Sequence, residues 1–256
     1  MKFRSIFIKI PILRRLYPSL AYKVLTFFKK SFFIYKFRDV FLYLNINDPI
    51  DRSVFLFDHY EDPQINYLHK LFKDNKINYF FDVGSNCGIY TLIFGKLFKD
   101  VKILSFEPIQ STFLKLKKNI SLNAGLRNIK KYNYGLSNKS SKLKVKTLIK
   151  KKFIQSGGFS VVNKKDNLKN LHTEYASFKK GDEKFKIKNK TICLKIDVER
   201  HEICVLNGLS RMLRNNKIIL QIEILSPNYN SVYKKLHTFG FKKINQIKND
   251  FYFIKS

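Results

Sequence analysis

Two acidic side chains follow apolar segments of the chain at a spacing that suits the binding of a nucleoside. Asp82 precedes the stretch Gly84-Ser85-Asn86-Cys87-Gly88, and Glu107 ends a second apolar segment about 20 residues further on. A glycine turn lets a ligand approach the backbone closely, and an acid at the tip of the next strand can accept hydrogen bonds from ribose hydroxyls. Asn86 fits such a turn because asparagine tolerates a left-handed backbone.

The spacing of the glycines distinguishes between cofactors. Dinucleotide-binding proteins favour Gly-x-Gly-x-x-Gly, whereas Ser85, Asn86 and Cys87 separate Gly84 from Gly88 here. Asp82, ahead of the turn, favours a cationic ligand such as the amino acid end of S-adenosylmethionine. The alternative is an ordinary strand, turn and helix that bind no ligand. This alternative does not explain why two acidic residues occur at the ends of successive strands.

A further polar cluster follows the apolar segment 191–196. Lys195, Asp197 and Glu199 recur at every second position, and His201 continues the series. Side chains at alternate positions of a strand lie on one side of the sheet, so the first three are expected to form a joint site. In open α/β sheets ligands bind at the carboxyl ends of the strands, which is where all these side chains fall.

The ordered set of motifs resembles the FkbM family of S-adenosylmethionine-dependent methyltransferases. That family shows Asp-Val-Gly-Ala-Asn-x-Gly at the first turn, Phe-Glu-Pro after the second strand and Lys-x-Asp-Val-Glu-Gly-x-Glu after the fourth. The matching segments here are 82–88, 106–108 and 195–202, with further matches at 118–123 and 221–223, so that the resemblance covers roughly residues 45–225. Arg200 departs from the pattern, because the family usually has glycine there.

The resemblance implies S-adenosylmethionine as the cofactor. The turn from Gly84 to Gly88 would cradle its methionine and ribose parts, Asp82 would reach the amino group directly or through water, and Glu107 would accept from the ribose hydroxyls. Residues 135–137 are candidates for the adenine edge. The predicted cofactor-binding residues are Asp82, Gly84, Asn86, Gly88, Glu107, Pro108 and Leu136.

Methyl transfer to a hydroxyl requires alignment of donor and acceptor and a base that takes the hydroxyl proton. Asp197 is the first candidate for the base, with Glu199 and His201 as alternatives; His201 otherwise is a solvent-facing or helix-capping residue. Lys195 would neutralise the carboxylates or steady an oxyanion, or else it pairs with Glu199 or Glu223 for structural reasons.

Acceptor contacts are predicted at Tyr60, Glu61 and Glu223. In the resemblance, a Tyr-Glu or Trp-Glu pair lies near the mouth of the site at the position of Tyr60 and Glu61. The alternative for this pair is the start of a helix, where Asp62, Pro63 and nearby acids are favoured in any case.

Periodicity places the motifs on an α/β core. Strands are expected at 79–83, 102–106, 129–135, 191–197, 217–224, 240–247 and 250–255, and helices at 88–98, 109–123, 202–214 and 229–238. The fold class is that of a Rossmann-like class I methyltransferase: a seven-stranded, mostly parallel sheet with helices on both faces and a C-terminal antiparallel hairpin. An insert at 137–190 is expected to form a β-hairpin with a mobile glycine loop and a lysine-rich linker.

Two regions are expected, a basic amphipathic helical extension at 1–45 and the methyltransferase domain at 46–256. Apolar residues between Phe7 and Phe28 have helical spacing that Pro11 and Pro18 interrupt. The extension is interpreted as a helical cap on the catalytic domain or, alternatively, as a peripheral membrane contact. No run of 18 uncharged apolar residues occurs in the sequence, so no transmembrane span is expected.

The amino-acid composition indicates which cellular compartment and which binding partners are expected. Three cysteines without a framework spacing indicate free thiols in a reducing compartment, and thus a cytoplasmic protein, membrane-peripheral if the extension binds lipid. No Cys/His spacing indicates a metal site. The net charge of +31 would attract nucleic acid, anionic lipid or a phosphorylated glycan, but the abundance of lysine over arginine favours a compositional bias of an AT-rich genome.

The sequence is therefore compatible with three functions. The first is an O-methyltransferase for a hydroxyl of a sugar, a glycan or another small metabolite, a substrate class that the resemblance alone implies. The second is a nucleic-acid (RNA) methyltransferase, which the charge suggests. The third is a non-catalytic binding module on the same fold.

Overall fold

The computed structural model describes residue 23 and residues 31–150, 153–163 and 166–256. The chain divides into two compact units, Met1–Asp62 and Pro63–Ser256. In the first unit, strands β1 (Phe32–Phe37) and β2 (Val40–Asn45) form an antiparallel hairpin. Arg38 and Asp39 connect them with φ values of 44° and 66°, the left-handed pair that matches the twist of two paired strands.

Helix α1 (Pro49–Phe57) follows the hairpin. The Asp48 side chain accepts the N–H groups of Ile50 and Asp51, and Pro49 occupies the first helical turn, where no N–H is needed. This helix begins where the sequence provides a cap and a proline together.

The predicted helical extension at 1–45 differs from the structure in its last part. Residues 32–45 are the β1–β2 hairpin, because alternate side chains of β2, those of Val40, Leu42 and Leu44, are fully buried, as in a strand with one covered face. The positions between Phe7 and Phe28, which carry the helical pattern, lie outside the described residues. The second compact unit begins at Pro63, later than the predicted boundary at 46.

A seven-stranded sheet forms the centre of the second unit. Its strands are β3 (Tyr79–Val83), β4 (Lys102–Phe106), β5 (Ile129–Tyr132), β11 (Thr191–Ile196), β12 (Lys217–Glu223), β13 (Lys242–Ile247) and β14 (Asp250–Lys255). They are ordered β13-β14-β12-β11-β3-β4-β5, with β14 antiparallel to β12 and β13 and the other pairs parallel. The predicted sheet and its C-terminal antiparallel hairpin are confirmed.

Helices cover both faces of this sheet. They are α2 (Asp62–Asp74), α3 (Ile89–Leu97), α4 (Gln110–Ser121), α6 (Glu202–Gly208), α7 (Ser210–Arg214) and α8 (Tyr229–Thr238). Phe80 packs on Phe94 of α3, whereas its neighbour Phe81 joins a core with Leu206 of α6 and Val232 of α8. Because successive residues of a strand point to opposite faces, these helices lie on opposite sides. The predicted helix at 202–214 is two short helices, α6 and α7.

The insert builds a second, five-stranded sheet. Its strands are β6 (Gly135–Ser137), β7 (Ser141–Lys150), β8 (Phe153–Ile154), β9 (Ser160–Val161) and β10 (Leu171–Lys180), and α5 (Gly181–Lys184) follows. The predicted hairpin is the antiparallel pair β7–β10, but two details of the prediction are wrong. The third core strand ends at Tyr132, because Gly135 packs on the Phe178 ring and joins β10. The predicted linker contains β10, whose Ala176 and Phe178 are buried in a small core.

Candidate active site

The glycine turn after β3 closely approaches the end of β11. Gly84 has a φ of 82°, and a Cβ atom there would lie 1.8 Å from the backbone oxygen of Asp197. Only glycine fits this position, because the conformation and the close contact both exclude a side chain. Asn86 and Gly88 also have positive φ, 48° and 87°, which confirms the turn conformation that the sequence predicts. The turn thus lies at the carboxyl edge of the sheet, beside Asp197.

Glu107 connects the tip of β4 to this turn. Its side chain is buried, its Oε2 accepts the N–H of Asn86 at 2.9 Å, and its Oε1 accepts the N–H of Ile109 at 2.9 Å. Burial raises the pKa of Glu107 to about 8 although both hydrogen bonds oppose that rise. Each carboxylate oxygen has a second lone pair, so the pair can also accept two hydroxyl groups of a ribose.

A pH dependence of nucleoside binding follows from the raised pKa of Glu107. Ribose hydroxyls donate to the ionised carboxylate, so binding requires loss of the Glu107 proton. We expect the affinity for 5′-methylthioadenosine, which has no amino acid group, to rise about tenfold per pH unit below pH 8 and to level off above it. Calorimetric titration between pH 6 and 9 measures this. The Glu107→Gln variant should bind weakly at every pH, and equal affinity of the wild type at pH 6 and 9 would contradict the assignment.

Asp82 stabilises the first turn of α3, a role that the sequence did not reveal. Its Oδ2 accepts from the backbone N–H of Thr91 at 3.1 Å and from the Thr91 hydroxyl at 2.7 Å, and Thr91 in turn contacts Ser105. Burial raises the pKa of Asp82, and the charge of Lys195 opposes that rise. The threonine after the glycine turn was the available signal, because its hydroxyl and N–H both match an acid at the end of β3.

Three buried oxygens at this turn provide a test of whether a cofactor fits. Asp82 Oδ1, Ser85 Oγ and Asn86 Oδ1 have no hydrogen-bond partner among the described residues. Buried polar atoms are ordinarily paired, so these three are suited to groups that a ligand brings. An ammonium and two hydroxyls, as in S-adenosylmethionine, are donors that can pair with the carboxylate, hydroxyl and amide oxygens of these three residues.

Lys195 lies buried between carboxylates. Its Nζ donates to Asp197 Oδ2 at 2.9 Å and lies 4.7 Å from the centre of the Tyr90 ring, and it is adjacent to Asp82 in strand register. Lys195 thus forms an ion pair with Asp197, a partner other than the Glu199 or Glu223 that the structural alternative named. The ion pair thereby fixes the carboxylate that follows β11 at the sheet edge.

Removal of the Lys195 charge should destabilise the protein. In Lys195→Met, the carboxylates of Asp82 and Asp197 lose their buried cation, so we expect the free energy of unfolding to fall by about 3–5 kcal/mol. Urea unfolding at pH 7 measures the change. The exposed Lys130→Met variant is the control and should change the value by less than about 0.5 kcal/mol. An equally small change for Lys195→Met would show that its charge is not needed for stability.

Carboxylates accumulate around this ion pair although the chain as a whole is basic. Burial and the charges of Asp197, Glu199 and Asp250 raise the pKa of Glu223 to about 9. Burial, with Asp197 and Glu202 as further causes, also raises the pKa of Glu199. A raised pKa brings a carboxylate closer to the operating range of a general base. The structure thus brings Asp197, Glu199 and Glu223 together electrostatically, as the sequence predicted.

The turn after β11 differs from the predicted geometry. β11 ends at Ile196, and Glu199 and Arg200 have left-handed φ values of 47° and 75°. Strand alternation therefore does not extend to Glu199. His201 follows this turn, its Nε2 lies 2.9 Å from Ser137 Oγ, and its ring lies 5.3 Å from that of Phe178. Burial lowers the pKa of His201 to about 4, so the imidazole is neutral at physiological pH.

A cavity of about 380 Å³ lies between this turn and the insert. Glu199, Arg200, His201 and Cys204 line it on one side, and Lys139, Leu143, Lys146, Ser160, Val161, Asn163 and Asp166 line it on the other. The sequence predicted Glu199 and His201 here and marked Arg200 as the departure from the family pattern, but it did not indicate Lys146 and Asp166. The glycine loop of the insert also reaches this edge, since Asn86 Nδ2 donates to the Ser156 carbonyl at 3.5 Å.

Other predicted site residues have different surroundings. The Leu136 side chain is buried in the main core, so its predicted contact with the adenine edge could come only from its backbone. The carbonyls of Glu107 and Pro108 accept from Asn133 Nδ2, a positioning contact that the sequence did not suggest. Tyr60 and Glu61 belong to the first compact unit, and their predicted contact with the acceptor stays a prediction.

A second and larger cleft lies along β3, β4 and β5, mostly toward the amino ends of these strands. Its volume is about 640 Å³, and its lining includes Lys99, Lys102, Arg127, Lys130, Lys184 and Lys186 with the rings of Tyr79, Tyr132 and Phe185.

Among the described residues, no helix is long and apolar enough to cross a bilayer. Nor do the described His, Cys, Asp and Glu side chains form a group of three or more that could hold a metal ion.

The sheet order and the site at its carboxyl edge define a Rossmann-like methyltransferase fold. A family model described as the methyltransferase FkbM domain matches residues 82–249, so the chain belongs to the FkbM methyltransferase family. The family's domain is that of a methyltransferase whose cofactor is S-adenosylmethionine.

Individual relatives are distant. Methyltransferase sdnD of Sordaria araneosa is 34% identical over 62 residues, which are 24% of this chain and 24% of that protein. The methyltransferase FkbM structure from Methylobacillus flagellatus KT has 12% identity and a TM-score of 0.47 over 70% of this chain and 44% of that one. The human methyltransferase 10 domain containing protein has 13% identity and a TM-score of 0.47 over 93% and 95%. The chain thus matches about a quarter of the length of sdnD and under half of the FkbM structure.

Proposed function

We propose that this protein is an S-adenosylmethionine-dependent O-methyltransferase that methylates a hydroxyl of a sugar, a glycan or another small metabolite. The observation that carries the proposal is the close approach of the glycine turn to the end of β11, where Gly84 meets the Asp197 backbone. This approach brings a nucleoside-type turn and a set of carboxylates to one edge of the sheet, beside a cavity large enough for a small acceptor.

The cofactor-binding roles follow from the contacts at the turn. Glu107 would accept the ribose hydroxyls, since both its oxygens are held by backbone N–H groups and each can accept once more. Asp82 Oδ1 and Asn86 Oδ1 would accept from the amino acid end, because these buried oxygens have no partner among the described residues. When bound, S-adenosylmethionine supplies a methyl group on a sulfonium centre.

The acceptor would occupy the cavity between the insert and the β11–α6 turn. Glu199 lines this cavity, and burial with neighbouring carboxylates raises its pKa, which makes the carboxylate a stronger base for removal of a hydroxyl proton. Asp197 was the first candidate from the sequence, but its Oδ2 is engaged by Lys195, so we assign it to positioning and charge balance. His201 would contact the acceptor from the side of Ser137, as a neutral imidazole.

Transfer of a labelled methyl group tests the proposal. The protein is incubated with S-adenosylmethionine that carries a tritiated methyl group and, separately, with the carbohydrate, small-metabolite and RNA fractions of the source cells. Alkali-stable label in a carbohydrate or small-metabolite product supports the proposal. Label in RNA alone would replace it with nucleic-acid methylation, and absence of label from every fraction would favour the non-catalytic binding module.

The observation that favours the RNA alternative is the basic cleft along β3, β4 and β5. Six cations and three aromatic rings line it, a combination that suits phosphates and bases. The cleft lies mostly toward the amino ends of these strands, whereas the cofactor turn follows the carboxyl end of β3, so RNA bound there would be tethered rather than presented to the methyl group. If RNA is the substrate, Arg127→Gln should weaken RNA binding and lower the salt dependence of the affinity.

A further inference from the structure

Arg200 occupies a backbone conformation that disfavours any side chain. Its φ is 75°, and the preceding Glu199 has a φ of 47°, so two consecutive residues with side chains are left-handed. In the family pattern to which the segment corresponds, glycine stands at this position, and glycine adopts such a φ without a steric penalty. Strained conformations of this kind persist where the side chain has a use, often at active sites.

The turn itself does not need the arginine side chain. The contacts of Arg200 within the turn come from its backbone: its N–H donates to Glu202 Oε1 at 2.7 Å and its carbonyl accepts from Asn228 Nδ2 at 3.3 Å. Glycine would make both contacts equally well. The guanidinium therefore has to be explained by something other than the stability of the turn.

The Arg200 side chain lines the cavity that we assign to the acceptor. Lys139 and Lys146 line the same cavity, against the carboxylates of Asp166 and Glu199. Asp166 is paired with Lys146 at 2.5 Å. Lys146 lowers the pKa of Asp166, and the charge of Arg200 acts on Asp166 in the same direction. Three cations thus face two carboxylates, and the lining has a surplus of positive charge.

We propose that this cavity selects acceptors in which a phosphate monoester accompanies the hydroxyl to be methylated, and that Arg200 binds the phosphate. This inference rests on the proposed function, because it names the substrate class of the same site. A guanidinium binds phosphate through two parallel N–H donors, and a nearby lysine adds a point charge. The phosphate would hold the acceptor at the cavity wall next to Glu199, the proposed base.

Binding of inorganic phosphate tests the inference without any need for the true acceptor. Phosphate is titrated at constant ionic strength and its binding is followed by ³¹P line broadening, with wild type, Arg200→Gly and the control Lys117→Gln, at an exposed position of α4. We expect wild type and Lys117→Gln to bind equally, and Arg200→Gly to bind at least about tenfold more weakly, as for loss of a charged hydrogen bond. Equal binding by all three variants, or none by the wild type, would overturn the inference.

Two further measurements test whether phosphate binding is lost for a reason other than removal of the Arg200 side chain, and where the phosphate binds. Arg200→Gly should raise the midpoint of thermal unfolding by about 2 °C, because the strain is relieved, and so loss of phosphate binding cannot reflect unfolding. Cys204 lines the cavity, whereas Cys87 and Cys193 are buried, so N-ethylmaleimide is expected to modify Cys204 first. Protection of Cys204 by glucose 6-phosphate, but not by glucose, would show that the phosphate-bearing ligand binds in this cavity. Glucuronate as a third ligand separates phosphate from carboxylate recognition, and protection by glucuronate equal to that by the phosphate would contradict the phosphate assignment.

Titration with S-adenosylhomocysteine in the same preparations separates the two proposals. If wild type and Arg200→Gly both bind it equally, the cofactor site is intact, and a failure of phosphate selectivity concerns the acceptor alone. If folded wild type does not bind it, the proposed methyltransferase function fails whatever the phosphate result.

Discussion

Replacement of Glu199 by glutamine should lower kcat for methyl transfer by about 10²–10⁴-fold, the usual contribution of a general base. Glu199 lines the acceptor cavity, and burial with neighbouring carboxylates raises the pKa of its side chain. Glutamine keeps the size of the side chain but cannot take a proton. In the wild type, kcat should fall as the pH is lowered through the pKa of Glu199, and the variant should lack that limb of the profile.

The matched control for this prediction is Glu183→Gln, at an exposed position on α5. It should leave kcat unchanged, and both variants should bind S-adenosylhomocysteine within about twofold of wild type, a difference of less than about 0.5 kcal/mol. A Glu199→Gln enzyme with wild-type kcat and an unchanged pH profile would remove Glu199 as the base. Asp197 would then return as the leading candidate, although its substitution also disturbs buried Lys195.

A large loss of stability is expected for Gly84→Ala. A Cβ atom at this position would lie 1.8 Å from the Asp197 backbone oxygen, and the φ of 82° is itself unfavourable for alanine. The ends of β3 and β11 would have to separate, so we expect the free energy of unfolding to fall by about 3 kcal/mol or more. Urea unfolding measures the change, and binding of S-adenosylhomocysteine should be lost as the turn opens.

Gly125→Ala is the control that isolates the steric contribution. Gly125 has a φ of 94°, similar to that of Gly84, but no described atom lies within 4 Å of the added Cβ. Its expected cost is therefore only that of the backbone conformation, about 1–2 kcal/mol. Equal destabilisation by the two substitutions would show that the approach of the glycine turn to β11 is not as close as the structure indicates.

The strands of the central sheet were largely predictable from the sequence. β3, β4 and β14 have the predicted bounds, because each is a mostly apolar and mostly buried segment that pairs with a strand on either side. The insert was predictable only as a hairpin. Its second sheet depends on the contact of Gly135 with Phe178, which is remote in sequence and leaves no local pattern.

The candidate site was predictable in its residue types but not in its geometry. The turn from Gly84 to Gly88 and the acid Glu107 follow from local spacing, and the structure places them together. The left-handed turn at Glu199 and Arg200 could not be inferred, because a strand pattern continues formally through both positions. The partnership of Asp82 with Thr91 was also missed, since a helix-stabilising acid and a ligand-binding acid have the same appearance in a sequence.

The net charge of the whole chain differs in sign from the charges that surround the candidate site. The chain has a net charge of +31, yet the edge of the sheet around Lys195 collects carboxylates at Asp82, Asp197, Glu199 and Glu223. A cationic sulfonium is favoured by such surroundings, whereas a polyanion is favoured by the remaining surface. The overall charge therefore says little about the chemistry at this edge.

Calorimetric titration of wild type and Glu107→Ala with S-adenosylmethionine and S-adenosylhomocysteine tests the assignment of the cofactor site. Glu107 holds the turn through Asn86 and offers the oxygens that we assign to ribose, so we expect micromolar binding by the wild type and a loss of at least about 100-fold in the variant. Near-identical affinities of the two proteins, or no binding by folded wild type, would contradict this assignment.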